Sequence, residues 1–396
     1  MKQAARTVND QERPGQLRLL ADEEIPRDVV SGAFDAARLT QARRLAGMTK
    51  KTVADKLGVS PVAVGQWEAG TASPRPDNVE ALAKALDVPV PFLASGRPYA
   101  RLDSAAAHFR SLRRTPAIQR SKAVAFTEQL WELTHALEKR VRLPAVDLPG
   151  FSAGEVEQVE FPTDPINAAR ALRQHWDLGV RRIPRVVRAM EQHGIIVTLA
   201  PFTADDAKTI DAFSTTQLPR PVVVLTPDRA NDVYRHRFTA AHELGHLVMH
   251  GNCVPGDPVQ EKEADIFAAE FLTPKDQIGP ELPSRIDFNA LIELSARWGV
   301  SVDSLLRRCK EVGMASEATY RRAYQRLAAL RNAGVIRPEP IEGFPGEIPT
   351  LLRSAFKMAE QNGLTLKELA AELRITLPRL RLLLGEGDTR PALELV

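Results

Sequence analysis

Five consecutive residues, His242-Glu243-Leu244-Gly245-His246, combine residue type and spacing in a way that specifies a chemistry. Two imidazoles four positions apart on a helix project from one face about one turn apart, so both can reach a single zinc ion at roughly 2.0–2.1 Å. Glu243 then falls where it can take a proton from the water such a metal activates. The chemistry implied is hydrolysis of a peptide bond with one Zn2+ per chain. Phe238, Ala241, Leu244, Gly245 and Val248 make the surrounding helix largely apolar. Two histidines and a glutamate in such a helix need partners to offset their desolvation.

A third ligand is expected downstream, in the stretch from Glu261 to Phe271. On a helix, Glu261, Ala264, Asp265 and Ala268 share one face, where the alanines permit close approach to the first helix. Glu263 shares the opposite face with Phe267 and Glu270. Glu261 is therefore the expected ligand, and Asp265 is expected to accept the free ring N–H of a ligating histidine. His250 lies eight residues beyond His242, about 12 Å along a helix axis, too far for one ion to hold both. It is expected at the helix end before Gly251 or in the cleft wall. Tyr234 and His236 are the nearest candidates for stabilising an oxyanion. A purely structural metal site would have no need of Glu243.

The elements that must position these residues sit in a chain of 396 residues, long enough for two to four domains. The formal net charge of +3 predicts neither a nucleic-acid binder nor a membrane-surface protein by itself, so any such role rests on local clusters. Cys253 and Cys309 suggest no disulfide framework, which fits a reducing, cytoplasmic setting. Residues 1–27 lack the apolar run of a signal peptide, and no transmembrane stretch is apparent. A peptidase in that compartment must have restricted substrates or gated activity.

Taken in order, residues 1–32 read as a polar, flexible lead-in. From Phe34 a helical stripe of Leu39, Ala42, Leu45 and Ala46 ends at Gly47. Thr49 then caps a short helix, Gly58 makes a turn, and Ser60 caps a second helix with Pro61 at its first position. This is helix-turn-helix punctuation. Residues 34–96 resemble the Cro/repressor-type (XRE) DNA-binding family through Ala54, Gly58, Val59, Ser60, Val64, Trp67, Glu68, Gly70 and Pro74-Arg75-Pro76. The resemblance implies double-stranded DNA as a partner. It places Lys50 and Ser60 at phosphates and Pro61, Val62 and Gln66 at base edges. Only Gln66 of those three can hydrogen-bond a base, which implies modest sequence readout.

Residues 97–163 are expected to form a helical connector arm and linker, with basic residues Arg110, Arg113, Arg114, Arg120 and Lys122 and a candidate homodimerisation face. The stretch 144–162 is the linker proper. Residues 164–315 read as an α+β domain with strands near 195–199, 210–214 and 221–225 ahead of two helices, 235–251 and 260–272. A small sheet there gives a cleft whose edge can hold an extended substrate. Residues 210–213, 237–246 and 261–274 together resemble the ImmA/IrrE family of zinc endopeptidases, over about residues 165–310. That resemblance implies a zincin-like fold and, for typical members, cleavage of an XRE-type repressor. Thr273 departs from the family by replacing a methionine at a packing position.

The remainder, 316–396, reads as helical, with a basic amphipathic helix at 320–333 and a proline-rich linker. Residues 363–376 repeat the apolar, Gly and Thr positions of Gly47 to Ser60, with Arg374 replacing the turn glycine. This degenerate helix-turn-helix is expected to pack on the peptidase or another subunit. The fold class expected is multidomain and mainly α, with an N-terminal five-helix XRE-type domain, an α+β zincin-like domain and a helical C-terminal domain. Two functions compete. One is a DNA-binding zinc endopeptidase that cuts a repressor- or antitoxin-like protein, or its own chain near 144–163. The other is a non-proteolytic XRE-type regulator whose zincin-like domain senses a ligand or stress.

Overall fold

A computed structural model describes residues 27–102, 108–109, 116–151, 161–200, 212–226, 232–251 and 257–386. Most of the lead-in, residues 152–160 of the linker, Cys253, Ile210–Asp211 and the cluster Arg110, Arg113 and Arg114 lie outside the described residues.

The first five helices are α1 (Arg27–Gly32), α2 (Ala36–Leu45), α3 (Lys50–Leu57), α4 (Pro61–Ala69) and α5 (Pro76–Ala85). Local chemistry sets their ends. Thr49 and Ser60 accept the N–H groups of Thr52 and Ala63, while Gly58 and Gly70 take the left-handed conformation at φ 67° and 70°, which only glycine adopts without strain. Leu39, Val53, Val64 and Trp67 close the core of this unit. Residues 27–32, expected in the mobile lead-in, instead belong to α1, and Val30 is fully buried.

Helix α6 (Ala117–Glu138) is 22 residues long and buried on almost every side, from Ala123 through Leu137. A helix covered all round belongs in the middle of a fold rather than on an arm. That corrects the expectation for 97–163: α6 packs against α2 and against three C-terminal helices, α15 (Leu351–Gln361), α16 (Leu366–Leu373) and α17 (Leu377–Leu383). The stripe at Val124, Leu130, Leu133 and Leu137 understated this, because Thr127, Glu128, Gln129 and Glu132 are buried too.

Helices α7 (Pro165–His175) and α8 (Val186–Gln192) lead into a four-stranded sheet in the order β1-β3-β4-β2. Its strands are β1 (His108–Phe109), β2 (Ile196–Leu199), β3 (Ala212–Thr215) and β4 (Val222–Leu225). β2 runs parallel to β4, β3 antiparallel to β4, and β1 antiparallel to β3 with His108 opposite Ser214. The sequence suggested three strands; the fourth is two residues contributed from before α6.

Alternation sends Ile196, Phe213, Val222 and Val224 into the core around α6, and Val197, Ala212, Val223 and Leu225 into the second core. Burial on both faces explains the unbroken apolar run of β4. The second core is closed by α9 (Val233–Met249), α10 (Pro258–Leu272), α11 (Lys275–Ile278), α12 (Phe288–Trp298), α13 (Val302–Glu311) and α14 (Glu317–Asn332). The region 316–396 is thereby divided: α14 joins the second core through Ala323 and Leu327, while α15–α17 join the first.

Candidate metal centre

Helix α9 is fixed before any metal is considered. Arg237, almost fully buried, donates to the carbonyls of Gly299 at 2.8 Å and Ile183 at 2.7 Å and pairs with buried Glu347. Glu347 also accepts the N–H groups of Val186 and Val187 at 3.1 Å each, so one carboxylate ties α9 to the start of α8. Helix α10 is held by Glu270, which pairs with Arg170 at 2.8 Å and Arg308 at 3.1 Å. The two helices meet closely because Gly245 faces the Phe267 ring, where an added Cβ would come within 3.0 Å. Ala264 and Ala268 on α10 are fully buried.

That contact brings His242, His246 and Glu261 together, with one potential ligand atom from each inside a 4.8 Å sphere of mutual distances. His242 Nε2 lies 3.1 Å from His246 Nε2 and 3.5 Å from Glu261 Oε2, and His246 Nε2 lies 3.3 Å from Glu261 Oε1. Zinc with tetrahedral ligands at roughly 2.0–2.2 Å sets ligand separations of about 3.3 Å, so nitrogen, nitrogen and carboxylate oxygen here fit that ion. Burial lowers the pKa of His246 to about 4, against the hydrogen bond its ring donates to Glu261. Burial would raise the Glu261 carboxyl, but the hydrogen bonds to His242 and His246 outweigh it and bring it down to about 2.

The other ring nitrogens are engaged. His242 Nδ1 lies 2.9 Å from Asp265 Oδ1, the contact expected from the sequence. His246 Nδ1 lies 3.0 Å from His250 Nδ1, and His250 Nε2 lies 3.0 Å from Glu263 Oε2. His250 is the helix-end residue expected, as the C-cap of α9; it is also buried and links His246 to Glu263. With Nε2 facing the ligand cluster, His246 Nδ1–H donates to His250, whose Nε2–H donates to Glu263. Sequence reasoning missed this, placing Glu263 on the far face of α10 without a role.

Glu243 is fully buried, and Ser214 Oγ donates to its Oε2 at 2.7 Å. Ser214 shares the sheet face of Ala212, the face turned toward α9, so strand alternation aims its hydroxyl at the glutamate. Ser214 was not singled out in the sequence, because only the register of β3 identifies it. The two oxyanion candidates are engaged elsewhere. Tyr234 donates to Glu339 at 3.0 Å, and His236 Nε2 meets the Glu347 carbonyl at 2.9 Å.

In the helix-turn-helix, Ser60, Pro61, Val62 and Gln66 are exposed along the start and outer face of α4, with Val62 68% exposed. Lys50 is exposed as well and lies 3.4 Å from Glu68, which is also held by Arg43. The exposed Lys51 adds a second cation beside Lys50 that the sequence reading passed over. Among the described residues this face is left exposed, although the C-terminal helices join the same core.

Comparison with known families matches residues 39–93 to Helix-turn-helix and residues 190–310 to the IrrE N-terminal-like domain, a peptidase family. Comparison with curated proteins gave no match. The chain thus combines DNA-binding and metallopeptidase-type parts. More particularly, it joins an XRE-type helix-turn-helix to an IrrE/ImmA-like domain, the fusion expected from the sequence. Among the described residues, no helix is long and apolar enough to cross a membrane.

Proposed function

We propose that the chain is a DNA-binding zinc endopeptidase that controls transcription by hydrolysing one peptide bond in a repressor- or antitoxin-like protein. His242, His246 and Glu261 would hold zinc, and Asp265 and His250 would orient the two imidazoles. When bound, zinc supplies Lewis-acid polarisation and makes water a nucleophile near neutral pH. Glu243 is the general base and acid. Ser214 donates to its Oε2 and so orients the carboxylate, and Glu243 would carry the proton taken from water to the leaving amine.

The observation that carries this reading is the position of Glu243. A binding-only or structural site gains nothing from burying a carboxylate beside two ligand histidines, where desolvation is costly. An extended substrate would pair along the outer edge of β3, next to Ser214, where main-chain hydrogen bonds read no side chain. Residues 108–109 of this chain lie on that edge, so a substrate has to replace them. Lys50 and Ser60 would contact phosphates, with Gln66 hydrogen-bonding a base and Pro61 and Val62 making apolar contacts. DNA binding would hold the peptidase beside a DNA-bound substrate and raise its effective concentration.

The test is Glu243→Gln in the full chain. The variant is expected to keep one zinc per chain by metal analysis and to lose cleavage of repressor-like partners by 100-fold or more. Cleavage at native rate by the zinc-loaded variant would eliminate Glu243 as the base.

A further inference from the structure

A cavity of about 510 Å³ lies between the helix-turn-helix domain and the C-terminal helices, away from the metal centre. One side is formed by Leu45, Met48, Leu86 and Val88, the other by Ile375 and Leu382, and Gln129 of α6 also lines it. The size is that of small-molecule sites, and the lining is mostly apolar.

Arg379, in the first turn of α17, also lines the cavity. Its Nε donates to Gln129 Oε1 at 2.7 Å, and its guanidinium carbon sits 5.5 Å from the centre of the Phe126 ring. Nη2 is closed off from solvent and, among the described residues, has no hydrogen-bond partner. Burial lowers the guanidinium to about 10, and among the described residues no carboxylate charge offsets it. Of the other charged groups in the lining, Arg381 and Glu386 are 4.0 Å apart and face each other, which leaves Asp87.

Asp87 lines the same cavity without contributing to the charge balance of Arg379, so among the described residues this buried cation has no counter-charge, which is costly, and a guanidinium is the side chain best shaped to meet a carboxylate. The helix-turn-helix fold does not itself require arginine there. Arg379 N–H donates to the capping hydroxyl of Thr376 as Ala63 N–H donates to that of Ser60, so in the first copy the same position is an alanine. We propose that this cavity binds a small organic carboxylate, its apolar body against Leu45, Met48, Leu86 and Leu382 and its carboxylate on Arg379. The site joins the DNA-binding domain to its C-terminal copy, so the ligand would stabilise their contact.

The test uses the full chain, titrated by calorimetry with octanoate and benzoate, with acetate and inorganic phosphate alongside. Octanoate or benzoate is expected to saturate one site per chain at least tenfold more tightly than acetate or phosphate. Arg379→Gln should weaken that binding tenfold or more. Gln129→Glu, which places a carboxylate of the chain's own beside Arg379, should raise Tm and abolish the response. The proposal is overturned by absence of saturable binding, by binding unchanged in the variants, or by phosphate binding as tightly as the carboxylates. Should Arg379→Gln fail to fold, Gln129→Glu decides alone.

Discussion

At the residue scale, the two candidate ligand histidines are oriented by different partners. His242 meets the half-exposed carboxylate of Asp265, whereas His246 meets a second imidazole that in turn meets Glu263. A carboxylate that accepts a ring N–H raises ligand basicity and fixes the tautomer, effects typically worth 10–100-fold in metal affinity. Asp265→Ala is therefore expected to weaken zinc binding about 10–100-fold, measured by competition with a chromogenic chelator, while circular dichroism stays native. Unchanged affinity would show that Asp265 does not orient His242. The i, i+4 spacing exposed His242 and His246 in the sequence, and a face count on α10 pointed to Glu261 and Asp265. Ser214, His250 and Glu263 escaped because their roles depend on strand register and on where α9 ends, neither of which residue spacing encodes.

At the scale of elements, α6 shows why periodicity alone underestimates a central helix. Its apolar stripe was legible, but the buried polar residues between were not, because their partners arrive from distant segments. Glu132 accepts from Arg38 at 2.5 Å and Arg97 at 3.2 Å, and Glu128 accepts from Leu102 N–H at 3.1 Å and Tyr99 Oη at 3.2 Å. Burial raises Glu128 to about 7, against the Leu102 hydrogen bond and the Arg44 charge. The folded state then binds more protons than the unfolded chain between about pH 4.5 and 7, so this group makes stability fall as pH rises through that window. Glu128→Gln cannot ionise, keeps an acceptor for Leu102 N–H, and replaces the acceptor for Tyr99 by an amide that donates to Tyr99 Oη. It should gain on the native protein as pH rises from 5 to 8, by up to about 3 kcal/mol in denaturant unfolding. A stability difference independent of pH would place the charge of Glu128 elsewhere.

For the whole molecule, the division into two cores was only partly legible, because the shared sheet and the return of the C-terminal helices are long-range features. The internal repeat was visible as matching Gly, Thr and apolar positions, and the structure gives it the same capped helix, left-handed turn and capped helix as the first copy. What the repeat could not reveal is its partner: in place of the peptidase or another subunit expected, its helices pack on α6 and hydrogen-bond residues 91–97 at the end of the first domain. Arg97 connects α6 to the repeat by donating to Glu132 at 3.2 Å and to the Leu373 carbonyl. Arg374 takes the left-handed turn at φ 52°, where Gly58 stands in the first copy, and its Nη1 donates to the carbonyls of Ala94 at 3.0 Å and Ser95 at 2.8 Å. A left-handed non-glycine residue costs about 1–2 kcal/mol, while charge-assisted hydrogen bonds contribute about 1.5–3 kcal/mol each. Arg374→Gly removes both the strain and the bonds, so the sign of its effect tells which is larger. Loss of the two bonds should prevail, lowering stability by about 1 kcal/mol or more and lowering Tm. A rise in Tm would mean that the two helix-turn-helix copies are held together by their apolar contacts and not by this arginine.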